Sequence, residues 1–269
     1  MLSPVTDVTD YLVAEAARLV DAATRVTVLT GAGISTDSGI PDYRGPNGMW
    51  TKNPQAEKQS TIEHYLGDAD VRKRAWQTRM KTPIFDAQPN VGHLALVDLE
   101  RRNKLHTLIT QNVDGLHLKA GTDPAKLVEI HGHVRDVVCM TCGERAPMQK
   151  ALDRVRAGEE DPPCRTCGGI LKSATVSFGQ QLDPRDIDRA QQAADECDLV
   201  LAVGSTLGVW PAAGVVPAAL HHGASLIVIN NEETAYDDYA DVLLRTSISE
   251  VLPAIVRGAR PPQPDGGRA

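Results

Sequence analysis

Short runs of aliphatic and β-branched residues recur along the chain, and segments with the spacing of amphipathic helices separate them. Apolar runs without polar alternation are typical of parallel strands whose two faces are both covered by helices. The pattern predicts strands at 25–30, 106–110, 126–130, 199–203, 225–229 and 241–244, and helices at 9–23, 90–102, 183–197 and 248–257. Strands that alternate with helices indicate an α/β fold with a doubly wound parallel sheet.

Two insertions interrupt this alternation. Residues 41–88 are polar, rich in Pro and Gly and then basic and helical, and residues 133–173 carry four of the five cysteines. We therefore predict a discontinuous Rossmann-type domain built from 1–40, 89–132 and 174–257, with a helical insertion and a cysteine-bearing insertion. The tail 258–269 has too few apolar residues to fold and is predicted to be disordered.

Charge and composition exclude several classes of protein. Lys and Arg number 28 against 35 Asp and Glu, which gives a net charge of −7, and no basic run offers a surface for nucleic acid. Residues 199–231 lack charged side chains, but Gly and Pro break them into two strands and a helix, so no membrane span is expected. The first residues lack a basic segment followed by an apolar one, so a cytoplasmic location is expected.

The cysteine spacing is the most specific signal. Cys139 with Cys142 and Cys164 with Cys167 form two CxxC pairs separated by 21 residues. Four thiolates at this spacing close a tetrahedral shell around Zn²⁺ and leave no position for a reactive water, which predicts a structural metal. Two disulfides or a redox-active pair remain as alternatives. Cys197 is expected to be a small buried side chain.

A glycine-rich segment, GAGISTDSGIPDYRG, follows the first predicted strand at residues 31–45. Small residues between a strand and a helix start let backbone amides approach a diphosphate. The segment departs from the dehydrogenase pattern, because Thr36 stands at the third glycine position and no strand ending in an acidic residue follows about 20 residues later. A nucleotide is expected here, but not for hydride transfer.

Polar residues also follow two later strands. Gln111, Asn112 and Asp114 come after the second predicted strand, and His131 follows the third. Since the carboxyl ends of parallel strands meet at one edge of the sheet, these side chains are expected to share one crevice, where His131 can serve as a general base. Six other histidines are interpreted as structural: His93, His106, His117, His133, His221 and His222.

Together these motifs, with VSFG, GSTLGVWPAA and VINNEET, resemble in order and arrangement the sirtuins, the NAD-dependent protein lysine deacylases. The resemblance spans roughly residues 14–256. It implies a Rossmann-type domain, a small domain with a zinc ribbon and a helical insertion, and acyl-lysine protein substrates bound with NAD in the cleft between them.

The resemblance also implies roles for individual residues. For NAD these are Gly31, Ala32, Gly33, Asp42, Tyr43, Arg44, Gln111, Asn112, Val113, Asp114, Gly204, Ser205, Thr206, Asn230 and Ile248. The catalytic set is His131, Asn112 and Asp114. The peptide substrate would lie as an added strand between Val176, Phe178 and Gly179 on one side and Gly208 and Val209 on the other. Tyr43 replaces the usual Phe, and the Ser205–Thr206 pair replaces the more frequent Thr-Ser.

The implied reaction starts when the acyl oxygen attacks the ribose carbon that carries nicotinamide. His131 then activates a ribose hydroxyl, and the acyl group passes to ADP-ribose.

The sequence leaves the preferred acyl group open. Trp76 and Arg79 have the spacing of the Tyr-x-x-Arg pair of desuccinylating sirtuins, and two interpretations follow: a lid helix with Trp76 packed inside, or an acidic acyl group held by Arg79. Mono-ADP-ribosyl transfer and a non-catalytic NAD-sensing module are the other hypotheses.

Overall fold

The computed structural model describes residues 4–42, 45, 48–52 and 61–258 and contains two sheets. The strands are β1 (Val26–Thr30), β2 (Leu105–Thr110), β3 (Leu127–Glu129), β4 (Gly132–Cys139), β5 (Arg145–Pro147), β6 (Leu171–Thr175), β7 (Leu199–Val203), β8 (Ser225–Ile229) and β9 (Val242–Leu244). The α-helices are α1 (Pro4–Ala22), α2 (Met49–Lys52), α3 (Ile62–Gly67), α4 (Ala69–Lys81), α5 (Val91–Arg101), α6 (Leu116–Ala120), α7 (Met148–Arg156), α8 (Pro184–Glu196), α9 (Val215–His221) and α10 (Ile248–Arg257). Short 3₁₀ helices are Ala32–Ser38, Pro83–Phe85, Ala212–Gly214 and Asp237–Tyr239.

The large sheet is parallel and has the strand order β3-β2-β1-β7-β8-β9. The order reverses between β1 and β7, and a crevice at the carboxyl ends of such a pair is where open α/β sheets bind ligands. The small sheet is antiparallel, with β4 between β5 and β6. The predicted fold class is therefore confirmed.

Helices cover both faces of the large sheet. Leu201, Val203 and Ile229 belong to a core shared with α1, α5 and α10, whereas Val200 and Val228 point to a second core shared with α8 and α9. Every residue of β1 and β7 is buried. This double coverage explains why these strands are continuous apolar runs in the sequence.

A third core joins the small sheet to α4 and α7. Trp76 of α4 is fully buried there beside Val137, Leu152 and Leu171. Two ion pairs tie the same helix to the segment after α7: Arg72 to Asp161 at 2.7 Å, and Lys73 to Glu160 at 3.0 Å. The prediction that Trp76 packs inside is confirmed, although it packs into the core of the cysteine-bearing segment.

The element bounds differ from the predictions at the ends. The first helix begins at Pro4 rather than at residue 9, since proline is well suited to the first turn of a helix. The predicted helix start after β1 is a 3₁₀ helix that ends at Ser38 and is capped by Gly39, whose φ of +81° favours glycine. Residues 199–231 form β7, α9 and β8, and no helix of the described residues is long and apolar enough to cross a bilayer. The predicted disordered tail lies, apart from Gly258, outside the described residues.

Candidate functional site

A large cavity opens where β1, β2, β7 and β8 end. Its volume is about 1060 Å³, at the upper end of the size of small-molecule sites. The predicted residues that line it are Gly31, Ala32, Gly33, Asp42, Gln111, Asn112, Val113, His131, Val176, Phe178, Gly179, Gly204, Ser205, Thr206, Val209, Asn230 and Ile248. The crevice expected from the strand ends is therefore present.

Four of the predicted residues stand apart from this list. Asp114 lines a smaller adjoining cavity of about 380 Å³ instead. Gly208 is exposed and is absent from both linings. Tyr43 and Arg44 lie outside the described residues.

Backbone touches backbone where the loops after β1 and β7 cross. Gly31 N donates to Val203 O at 3.0 Å, and Gly33 N donates to Gly204 O at 2.9 Å. A Cβ on Gly33 would lie 2.7 Å from the Cα of Gly204, and one on Gly31 would lie 2.6 Å from the oxygen of Gly204. Glycine is thus required for this close approach, which leaves backbone rather than side chains at the base of the cavity.

Side chains connect the loops after β1, β2 and β7. Gln111 Nε2 donates to Ser205 Oγ at 2.9 Å. Asn112 Nδ2 donates to Gly31 O at 3.0 Å and to Ser35 Oγ at 3.1 Å, and Ser35 Oγ donates to Asp114 Oδ2 at 2.8 Å. Asp114 is therefore the last acceptor in a series of hydrogen bonds that runs from Asn112 through Ser35. This series fixes the side-chain amide of Asn112 at the cavity wall. Burial raises the pKa of Asp114, and the hydrogen bonds from Leu116 N and Ser35 oppose that shift.

The ring orientation of His131 is set by the backbone. Its Nδ1 lies 3.1 Å from the carbonyl oxygen of Gln111. Because a carbonyl only accepts, Nδ1 donates, and Nε2 carries the free lone pair. Burial lowers the pKa of His131, although the hydrogen bond to Gln111 opposes this. The ring is therefore a neutral base at pH 7, and it lines the cavity.

The strand predicted to bind the peptide starts next to His131. Val176 N donates to His131 O at 2.8 Å, and Gly132 pairs with Thr175. Phe178 O accepts a hydrogen bond from Ile62 N of α3 at 2.9 Å. Phe178 remains partly exposed, and Trp210, which also lines the cavity, is 64% exposed. Two aromatic side chains thus face solvent at the cavity rim.

Several residues in or beside the site have no chemical role in the sequence-based prediction. Ser35 lies in the motif at residues 31–45, where the sequence analysis assigns roles to Gly31, Ala32, Gly33, Asp42, Tyr43 and Arg44 but none to Ser35. His93 and His117 are buried side by side, with ring centroids 4.9 Å apart, and His117 Nε2 lies 3.1 Å from Thr30 Oγ1. Burial lowers the pKa of both rings, that of His93 to about 4, so both are neutral structural groups as predicted. Lys172 also lines the cavity, and its only sequence signal is a cation inside a short strand with buried neighbours.

The four cysteines of the CxxC pairs meet at one point. Their Sγ atoms all lie within 4.8 Å of one another, with Cys139 to Cys167 at 3.5 Å and Cys142 to Cys164 at 3.9 Å. A tetrahedral ion with Zn–S bonds of about 2.3 Å separates its sulfurs by about 3.8 Å, so these distances fit zinc. All four are free thiols, which disfavours the disulfide alternative. The amides of Thr141 and Cys142 point to Cys139 Sγ at 3.4 and 3.5 Å, as expected for a metal-binding turn.

Comparison with known proteins decides the family. The family model described as the Sir2 family matches residues 31–211. The chain belongs to the Sir2 family. NAD-dependent protein deacetylase 2 of Streptomyces coelicolor is 51% identical over 233 residues, covering 87% of this chain and 97% of that protein. The NAD-dependent protein deacetylase of Sulfolobus acidocaldarius is 42% identical, covering 91% of this chain and 96% of its own length.

Solved Sir2 structures share the whole fold. A structure described under the mechanism and regulation of Sir2 enzymes superposes with a TM-score of 0.83 at 35% identity, covering 92% of this chain and 97% of that chain. A Sir2 variant with a deacetylated p53 peptide and 3′-O-acetyl ADP ribose also gives 0.83, at 29% identity, with coverage of 92% and 96%. The sequence-based identification as a sirtuin is thereby confirmed.

Proposed function

We propose that this Sir2 protein is an NAD-dependent protein lysine deacylase that moves the acyl group of an acyl-lysine side chain to ADP-ribose and releases nicotinamide. The observation that carries the proposal is the His131 ring, which lines the cavity with its Nδ1 proton engaged by Gln111 and its Nε2 free to accept a proton. A protein that only bound the dinucleotide would not need a neutral base held in one tautomer at this place.

The glycine crossing supports the assignment of the cofactor side. Gly31, Gly33 and Gly204 present backbone at the base of the cavity, where side chains would exclude a diphosphate. Gln111 and Asn112 are fixed by Ser205 and Ser35 and supply polar groups for the ribose and the carboxamide. When bound, NAD supplies an electrophilic ribose carbon with nicotinamide as its leaving group. Asp42, Val113, Thr206, Asn230 and Ile248 complete the proposed lining.

The proposed role of His131 is that of a general base, and its Nε2 is the reactive atom. Its Nε2 accepts a proton from a ribose hydroxyl, and the Gln111 carbonyl stabilises the resulting imidazolium through Nδ1. Because burial lowers the pKa of the ring, the base is available below neutral pH as well as above it. Val176 N binds the His131 carbonyl, so a peptide strand laid along residues 176–179 would bring its modified lysine beside the base.

The zinc centre supports the fold rather than the reaction. Cys139, Cys142, Cys164 and Cys167 would fill all four positions of the ion and leave none for water. Acylated proteins are the proposed partners, and the cytoplasmic location stays a prediction.

Mass spectrometry of an acetyl-lysine peptide with and without NAD tests the proposal. We expect NAD-dependent loss of the acetyl group with equal amounts of acetyl-ADP-ribose, and at least a hundredfold slower turnover in His131→Ala. His221→Ala is the matched control, because His221 is exposed and does not line the cavity. Nicotinamide release with ADP-ribose on protein would favour ADP-ribosyl transfer. NAD binding without nicotinamide release would favour a sensing module.

A further inference from the structure

A buried histidine closes the loop that follows β2. His117 of α6 is 2% exposed, and its Nε2 lies 3.1 Å from Oγ1 of Thr30, the last residue of β1. The Thr30 hydroxyl in turn donates to Oγ1 of Thr110, the last residue of β2, at 2.8 Å. The main-chain amide of Asn112 donates to the same Thr110 oxygen at 3.1 Å. One series of hydrogen bonds therefore joins His117 to the main chain of Asn112.

The series begins where the hydrogen bonds of the large sheet end. Gln111 N donates to Thr30 O at 3.0 Å and so continues the pairing of β1 with β2. The next amide, that of Asn112, donates to a side-chain hydroxyl instead of a strand carbonyl. This hydroxyl is held by Thr30, and the hydroxyl of Thr30 is held by His117. The direction in which the chain leaves β2 thus depends on side chains of β1 and α6.

The proton of the His117 ring is on a defined nitrogen. A hydroxyl group has a single proton, and that of Thr30 is donated to Thr110, so the ring nitrogen that faces Thr30 is the donor of their hydrogen bond. Burial, with a further contribution from His93, lowers the pKa of His117 well below its usual value. The ring is therefore neutral, and Nε2 carries its only N–H. Nδ1 is a buried acceptor without a hydrogen-bond partner.

Apolar side chains would fill these positions at a lower cost in free energy. Thr30 and Thr110 are buried, and valine has the shape of threonine without the hydroxyl. His117 keeps an unpartnered polar atom in the interior, which destabilises the fold in comparison with an apolar ring. Departures of this kind from an apolar interior are expected at functional sites. The series leads to Asn112, which lines the large cavity.

We propose that His117 is a positioning residue for Asn112, which it holds at the cavity wall through Thr30 and Thr110. The proposal deepens the deacylase function and rests on it, because that function assigns Asn112 to the ribose and the carboxamide of NAD. His117 itself lines neither cavity, so it acts only through the loop that it closes. The side chain of Asn112 is fixed separately, by hydrogen bonds to the segment after β1. This role goes beyond the structural one predicted from the sequence.

Calorimetric titration of the zinc-loaded protein with NAD tests the proposal. His117→Phe keeps a ring and removes the N–H, and Thr30→Val removes the hydroxyl in the middle of the series. We expect each to weaken NAD binding about three- to tenfold, as the loss of one hydrogen bond does. His117→Gln should bind NAD within about twofold of the parent, because its amide can donate to Thr30 in place of Nε2. His106→Phe is the matched control, since His106 lies on β2, pairs with Glu196 and does not line the cavity.

A double variant separates positioning from a structural role. Asn112→Ala keeps the main-chain amide but lacks the side chain that would contact NAD. If His117 acts through Asn112, His117→Phe should have no further effect on NAD binding in the Asn112→Ala background. Losses that multiply in the double variant would overturn the proposal. So would a lower melting temperature of His117→Phe and Thr30→Val with unchanged NAD affinity, because the series would then serve the fold alone.

Two further arms complete the experiment. Thr30→Val changes only one hydroxyl to a methyl group, so it provides the same test if His117→Phe does not fold. Assay of acetyl-lysine peptides with the parent protein tests the deacylase function separately. A parent protein that removed no acyl group would contradict that function, whereas the expected order of NAD affinities among the variants would still support the role of His117.

Discussion

Replacement of Gly33 by alanine should damage both the fold and the cofactor loops. The new Cβ would lie 2.7 Å from the Cα of Gly204 and 3.0 Å from its oxygen, against an ordinary contact of about 3.5–4.0 Å. Both atoms belong to backbone that continues from buried strands, so no side chain can rotate away. The loops must separate by about 1 Å, and the hydrogen bond from Gly33 N to Gly204 O must lengthen.

The size of the effect follows from these two losses. Overpacking of a tight contact costs about 1–3 kcal/mol, and a lost hydrogen bond costs about 0.5–1.5 kcal/mol. We therefore expect a loss of about 2–4 kcal/mol in the free energy of unfolding, or roughly 4–8 °C in melting temperature. A displacement of about 1 Å at the loops should also lower kcat/KM for NAD about a hundredfold.

Urea unfolding and NAD titration of turnover measure the two effects. Gly67→Ala is the matched control, because a Cβ at Gly67, the last residue of α3, meets no atom within 4 Å. Alanine is the better helix former, so this control should be at least as stable as the parent. If the free energy of unfolding of Gly33→Ala were within about 0.5 kcal/mol of the parent value and its kcat/KM for NAD were unchanged, the site would not require the close approach.

Three further predictions concern the base, the metal and the third core. Burial lowers the pKa of His131, and the neutral ring is the active form, so kcat/KM should fall only as the pH drops through a value below about 6.5. A fall in kcat/KM that begins above that pH would contradict the role of His131 as the general base. Atomic absorption should find one zinc per chain, Cys164→Ser should lose it and melt several degrees lower, and Cys197→Ser should retain it. Trp76→Ala should cost about 3–5 kcal/mol by urea unfolding, and a loss under about 1 kcal/mol would show that the third core does not depend on it.

Local pattern was sufficient for the parallel sheet and its crevice. The strands at 199–203 and 225–229 were predicted to the residue, because both are buried on two faces and their apolar runs end sharply at glycine or asparagine. The strand ends then placed Gln111, Asn112 and His131 at one edge by topology alone. The CxxC spacing likewise predicted a cluster that the distances between the sulfurs support.

The hydrogen bonds between side chains behind the crevice could not be predicted from the local sequence pattern. Asp114 was expected in the cavity wall with Asn112, but the turn after β2 directs its carboxylate to Ser35 and to the amide of Leu116. The position of Lys172 in the cavity lining could not be predicted, because it depends on the packing of β6 in the third core. Trp76 and Leu171 are about 95 residues apart in the chain and meet in this core. Such long-range contacts depend on tertiary packing, which local sequence motifs do not predict.

The crossing of the glycine loops divides the cavity into a rigid half and an adjustable half. At the crossing the wall consists of main chain in contact with main chain, so any new side chain at Gly31, Gly33 or Gly204 must move a strand end. Elsewhere the lining includes side chains such as those of Val176, Val209 and Ile248, which can be exchanged one at a time. Changes to the shape of the cavity should therefore be made at such side chains, with the three glycines left as they are.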